Sequence, residues 1–232
     1  MLEAPERRRI ERAANDARIR LGFGPGAVDA LEALDRAGVA VLVYPFAKKA
    51  VDGIYRRTDT GAFAAVNSAR PRSRQHFTAA HELGHHEFDL GPTQFVDEQL
   101  EAATDSPVEQ RADEFAAAFL MDTGSLRGLL EQLGPIEPEA IVLTVAASYR
   151  VSVPVAAWRL VNLSLLDRAD AQAVTKRRST SLRDRLAALD LPVASAQTDK
   201  RRWVSDRYHQ AVLALRESGV VPPSAFPGLL ND

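Results

Sequence analysis

The segment Phe77-Thr-Ala-Ala-His-Glu-Leu-Gly-His85 places His81 and His85 four residues apart, with Glu82 beside the first. Four residues is close to one helical turn, so on a helix both imidazoles project from one face and can grip one metal ion. A carboxylate directly after the first histidine is placed to reach a water on that ion. These residue types at this spacing point to metal-assisted hydrolysis, most often of peptide bonds. The plainer reading is two histidines on a helix face, each hydrogen-bonded to backbone.

A catalytic metal of this kind needs a third protein ligand and an open position for water. A histidine six residues after His85 would supply one, but that position is Gly91, and the glycine that such an extended motif requires at 88 is Phe88. His86 projects about 100° away from His85 around a helix and is poorly placed to share the ion. A second acidic helix is the better source. Glu109 and Asp113 are one turn apart and share a face. Glu109 could ligate the metal while Asp113 accepts a hydrogen bond from the free nitrogen of a ligand histidine, fixing its tautomer. Spacing alone leaves Glu98, Glu101 and Glu114 as rivals to Glu109, and an acid near a helix start is also favoured by the helix dipole. No spacing argument identifies a partner for a developing oxyanion. Tyr55, His76 and His86 are candidates, and a structural role is favoured for each.

The elements that must position these groups follow from patterning. Residues 3–20 are charged, with apolar residues at helical spacing, and Gly22 to Gly26 ends them; a second helix runs from Val28 to Ala37. Val39 to Tyr44 reads as a buried strand, and Val51–Arg57 with Ala62–Asn67 as a hairpin around Asp59-Thr60-Gly61. The motif helix starts near Arg72 and ends near Asp89–Gly91. Residues 91–106 are polar and acidic and read as a loop near the site. Pro107 opens the next helix. Residues 139–165 suggest two helices joined at Tyr149–Ser152, an arrangement resembling helix-turn-helix. Residues 167–185 read as a linker or exposed loop, Trp203–Leu215 as a long helix, and Val220–Ser224 as the start of a short final one.

Composition narrows the classes. The 232 residues carry 29 Lys and Arg against 31 Asp and Glu, a net charge of −2 that does not suggest nucleic acid or a membrane surface. With no cysteine, thiolate ligands and a cysteine nucleophile are excluded, so any metal must be held by His, Asp or Glu. The Arg- and Glu-rich first 20 residues lack the apolar stretch of a secretion signal, and no apolar run is long enough to cross a bilayer. A cytoplasmic location is expected.

Two segments in this order carry a family resemblance. Asn67-Ser-Ala-Arg-Pro-Arg-Ser-Arg-Gln-His-Phe-Thr-Ala-Ala-His-Glu-Leu-Gly-His85 and Glu109-Gln-Arg-Ala-Asp-Glu-Phe-Ala-Ala-Ala-Phe-Leu-Met121 resemble the paired motif helices of the ImmA/IrrE family of metallo-endopeptidases. The resemblance runs from the Val51–Asn67 hairpin to about Leu166. It implies that His81, His85 and Glu109 are ligands of Zn2+, with Mn2+ as the other possible metal, and that Glu82 is the general base. It places Asp113 behind a ligand histidine. One departure is Asp122, where the family usually has proline.

The resemblance implies an α+β fold, mostly helical and zincin-like, with a small three-stranded sheet and a helix-turn-helix-like subdomain. The expected division is 1–134 metallopeptidase domain, 135–170 helical subdomain, and 171–232 linker and C-terminal helical tail. The expected activity is cleavage of a helix-turn-helix transcriptional repressor, releasing stress or mobile-element genes. The competing reading is a non-proteolytic regulator that uses the helical subdomain to bind DNA or protein. Direct nucleic-acid binding is disfavoured, because Arg159 is the one cation on the would-be recognition helix.

Overall fold

The computed structural model describes residues 2–46, 51–88, 106–176, 181–192 and 201–220, with the backbone alone for 93–98. Helix α1 (Ala4–Arg20) carries proline in its first turn and buries Ile10, Ala14 and Ala17 along one stripe. Asp29 caps α2 (Ala30–Arg36), its carboxylate accepting from the amides of Leu31 and Glu32. Strand β1 (Val39–Tyr44) alternates, with Val39, Val41 and Val43 fully buried.

The hairpin forms as expected, from β2 (Val51–Thr58) and β3 (Gly61–Asn67), closed at Thr58 opposite Gly61. The sheet is larger than the three strands expected. Strand β4 (Thr93–Glu98) pairs antiparallel with β2, and the two-residue β5 (Trp203–Val204) pairs antiparallel with β1. The order is β4-β2-β3-β1-β5, with β1 and β3 parallel. The loop read over 91–106 is therefore a strand in part. Its polar pattern is that of an edge strand, whose pairing comes from β2 and not from its own hydrophobicity. Trp203 is likewise strand, because Ser205 stops the following helix from reaching back. The Ser205 hydroxyl accepts from the Tyr208 amide as a helix cap and from the Val41 amide of β1, and the Ser205 amide donates to the Val41 carbonyl.

Helix α3 (Arg72–Phe88) lies between the sheet and α4 (Pro107–Leu120), and every residue from Thr78 to His85 is buried. That two-sided burial explains why its sequence shows no clean apolar stripe. Ser106 caps α4 ahead of Pro107. Along α4, Phe115 and Phe119 stack at 5.7 Å between ring centres, with Phe88 edge-on to Phe115 at 5.8 Å.

After α5 (Thr123–Leu133) come α6 (Pro138–Ser148) and α7 (Val153–Asn162), which meet at 111°, within the range of helix-turn-helix pairs. The 167–185 stretch is helical where described, as α8 (Arg168–Lys176) and α9 (Leu182–Ala187). Its buried anchors, Ala171, Val174 and Leu186, are too few and too small to stand out in a polar sequence. Helix α10 (Asp206–Glu217) follows β5, and the final helix expected from Val220 falls almost wholly outside the described residues. Among the described residues no single helix is long and apolar enough to cross a membrane.

Candidate metal centre

The site forms where α3 and α4 cross. Their close approach depends on Gly84. A Cβ there would lie 3.1 Å from Ala112 Cα, 3.2 Å from Ala112 O and 3.3 Å from Phe115 Cδ1. Hydrogen at this position lets α4 settle against α3 and carries Glu109 and Asp113, on either side of Ala112, to the histidines.

Three side chains converge. His81 Nε2 stands 3.0 Å from Glu109 Oε2 and 3.0 Å from His85 Nε2, and His85 Nε2 is 3.5 Å from Glu109 Oε1. Asp113 Oδ1 accepts from His81 Nδ1 at 2.9 Å. Both histidines are buried, Glu109 is largely so, and Asp113 is half exposed. Among the described residues this is the one cluster that offers three ligand atoms within 4.8 Å of one another.

The donor set suits a small divalent cation. Tetrahedral ligands at about 2.0–2.1 Å from zinc stand roughly 3.3 Å from each other, and the observed separations bracket that value. Because His81 commits its Nδ1 proton to Asp113, its Nε2 turns a lone pair toward a carboxylate and a second imidazole. Lone pairs gathered in this way need a cation between them. Burial opposes charge on His81, but the hydrogen bonds with Asp113 and Glu109 outweigh it and raise its pKa well above the ordinary value. Burial likewise opposes charge on Glu109, but hydrogen bonds with His81 and His85 lower its pKa to about 2.

Glu82 is fully buried, and its charge contributes to the raised pKa of His81. Of the rivals to Glu109, Glu114 faces α7 instead, 4.0 Å from Arg159 and 3.5 Å from the Asn162 amide. The side chains of Glu98 and Glu101 lie outside the described residues.

The three oxyanion candidates have structural partners. His76 Nε2 donates to the Val28 carbonyl at 2.8 Å, toward the far end of α3. His86 Nδ1 accepts from the Tyr55 hydroxyl at 2.9 Å and from Arg57 at 2.8 Å. Burial first, then the Arg57 charge, lowers the His86 pKa to about 4.

Several contributors carried no sequence signal. Arg159 is 2 % exposed. It forks onto both oxygens of Glu11 at 2.8 and 2.9 Å and donates to the Met121 carbonyl at 3.0 Å. Arg18 donates to the Phe119 carbonyl at 2.6 Å and pairs with Asp122 at 3.3 Å. Two buried arginines thus satisfy the open carbonyls at the end of α4 and anchor the helix that bears Glu109. Asp122, the departure from the family pattern, caps α5 through the Ser125 amide at 2.9 Å. Asp52 is buried and ion-paired with Arg70 and Arg74. The Asp122 cap is local, but the Arg159, Arg18 and Asp52 links join residues far apart in sequence, so only the folded chain reveals them.

A search of the curated proteins returned no significant match. The family described as Peptidase_M78, IrrE N-terminal-like domain, matches residues 34–161, more than half of the chain and the whole of the α3–α4 crossing. The chain belongs to that IrrE N-terminal-like family of metallopeptidases.

Proposed function

We propose that the protein is a zinc-dependent endopeptidase with His81, His85 and Glu109 as metal ligands, Glu82 as general base and Asp113 as the group that orients His81. The observation that carries this reading is the convergence of His81, His85 and Glu109 at the separations a single ion requires. Held by His81, His85 and Glu109, zinc would supply an acidified water and a Lewis acid for the scissile carbonyl. Glu82 accepts a proton from the attacking water and passes it to the leaving amide nitrogen. Asp113 holds His81 in the tautomer that leaves Nε2 free to ligate.

The substrate class proposed is a helix-turn-helix repressor, the kind of protein that the family resemblance implies, whose cleavage releases stress or mobile-element genes. Arg159 supports proteolysis over DNA binding. The one cation on α7 is committed to Glu11 and the end of α4, so it is not offered to a phosphate backbone. Mn2+ is the alternative metal, and metal analysis of the protein isolated from its own cells distinguishes the two.

The test pairs the purified protein with a helix-turn-helix repressor encoded beside it. Wild type cuts the repressor at a defined site, and Glu82→Gln abolishes the cut while keeping its metal. Equal cleavage by the two proteins removes Glu82 from the mechanism.

A further inference from the structure

Gly53 lies in β2, facing the same helix that carries the histidines. A Cβ built on it would stand 2.2 Å from Glu82 Oε1 and 2.4 Å from Thr78 Cγ2, distances that real side chains do not tolerate. Both neighbours are buried, so neither can swing into solvent. Backbone freedom does not explain this glycine, because its φ is not in the left-handed range. What the position requires is the absence of a side chain.

The surroundings fix where that gap falls. Arg74, Thr78 and Glu82 follow one another at four-residue spacing and form one stripe of α3. Arg74 Nε donates to Asp52 at 2.8 Å, and Thr78 and Glu82 lie over Gly53. Asp52 and Gly53 are adjacent, yet both address α3. In a regular strand they would face opposite ways. The pairing of β2 with β4 shifts register between Val51 and Gly53, and a bulge of this kind re-aims a side chain. The buried Asp52 carboxylate also pairs with Arg70. On the far side of the strand start, the Asn67 amide donates to the Val51 carbonyl at 2.8 Å. Asn67, Arg70 and Arg74 belong to the motif segment and make these contacts with the start of β2. Their contacts hold β2 in one register against α3.

We propose that Gly53 is the positioning residue for Glu82: its missing side chain leaves the slot in which the carboxylate lies, and the bulge with the Asp52–Arg74 pair sets that slot in register. Its importance for catalysis rests on the role of Glu82 proposed above, whereas the slot itself does not.

The test compares Gly53→Ala in the wild-type background and in a Thr78→Ser, Glu82→Ala background, by urea unfolding of the metal-free full chain. The slot predicts a clear loss of midpoint in the first background and less than about half that loss in the second, where the clashing atoms are gone. Equal losses overturn the proposal. If Gly53→Ala fails to fold in wild type, folding in the relieved background supports the slot, and failure there refutes it. A crystal structure of Gly53→Ala should show the Glu82 carboxylate displaced, and an unmoved carboxylate refutes the slot. On the neighbouring repressor, kcat of Gly53→Ala should fall roughly a hundredfold, the scale of general-base catalysis, with KM and zinc content unchanged. Adding Glu82→Asp, a shorter acid, should recover part of that loss. Unchanged kcat removes the catalytic part of the proposal. If wild type cuts no repressor, the protease reading falls while the unfolding comparison still decides the slot.

Discussion

Replacing Gly84 by alanine adds one methyl group where α3 and α4 touch. The methyl carbon would meet Ala112 Cα at 3.1 Å and Ala112 O at 3.2 Å, which are backbone atoms, and Phe115, which is fully buried. Backbone cannot rotate away, so α4 must move outward by a few tenths of an ångström. Overpacking of this kind costs about 1–3 kcal/mol. The same displacement carries Glu109 off His81 and His85, and zinc sites hold their distances to about 0.2 Å. At 1.4 kcal/mol per factor of ten, the expected loss of zinc affinity is about tenfold to a hundredfold. Competition against a chromophoric chelator measures the affinity, and urea unfolding of the metal-free protein measures the stability. Gly128, in α5, is a matched control, because a Cβ there meets nothing within 4 Å. Gly128→Ala should stabilise by about 0.5–1 kcal/mol through helix propensity alone and leave zinc affinity untouched. If Gly84→Ala behaves like Gly128→Ala, the crossing does not depend on the glycine and the geometric account of the site fails.

Asp113→Asn keeps the shape but removes the charge behind His81. It should weaken zinc binding about tenfold to a hundredfold and, in the metal-free protein, reduce the pH-dependent stability that the raised His81 pKa supplies, by an amount that solvent screening of the half-exposed Asp113 keeps small. Chelator competition with paired unfolding curves checks both halves. The metal-free protein should depend on pH in a defined way. The raised pKa of His81 means that its contribution is fully present below the ordinary value near 6.5 and is lost as pH rises through the folded value. Glu109, lowered to about 2, contributes above its ordinary value of 4.5 and loses that contribution as pH falls toward 2. Urea midpoints of the metal-free protein should therefore be higher near about pH 5 than near about pH 9 as far as these two groups decide it. Zinc must displace the His81 proton, so calorimetry in buffers of different ionisation enthalpy should show proton release on binding near neutral pH.

The parts of the site that were legible in sequence are those with a fixed local geometry. His81 and His85 are one turn apart on any helix, and Glu109 and Asp113 repeat the relation. Which acid meets the histidines is a fact of packing, decided by the bare Cα of Gly84 against Ala112. Glu114, the neighbour of Asp113, faces Arg159 on the other side of α4, so a carboxylate count around the motif could not separate them. The valine-rich run of β1 and the hairpin were also legible, the latter from the turn at Asp59–Gly61, whereas the α+β class came from the family resemblance. Strand β4 was not, because its pairing partner supplies what its polar sequence lacks. Strand β5 was not, because it is two residues long and exists through Ser205 and β1. Arg159, read as the one cation on a would-be recognition helix, is buried, and Arg18 and Asp52 are buried too, each held by partners that no spacing rule connects. Gly53 fell unremarked within the strand Val51–Arg57. Its meaning lies in Glu82, which arrives from a helix that begins after β3.

The central claim is that two imidazoles and one carboxylate hold a single metal ion at the crossing of α3 and α4. Zinc-edge X-ray absorption on the stoichiometrically loaded wild-type protein, repeated on Glu109→Ala, tests it most directly. The account predicts one zinc per chain, with two imidazole nitrogens and oxygen ligands at about 2.0–2.2 Å, and loss of the carboxylate contribution with weakened occupancy in the variant. A wild-type spectrum without paired imidazoles, or a variant spectrum identical to wild type at full occupancy, contradicts it.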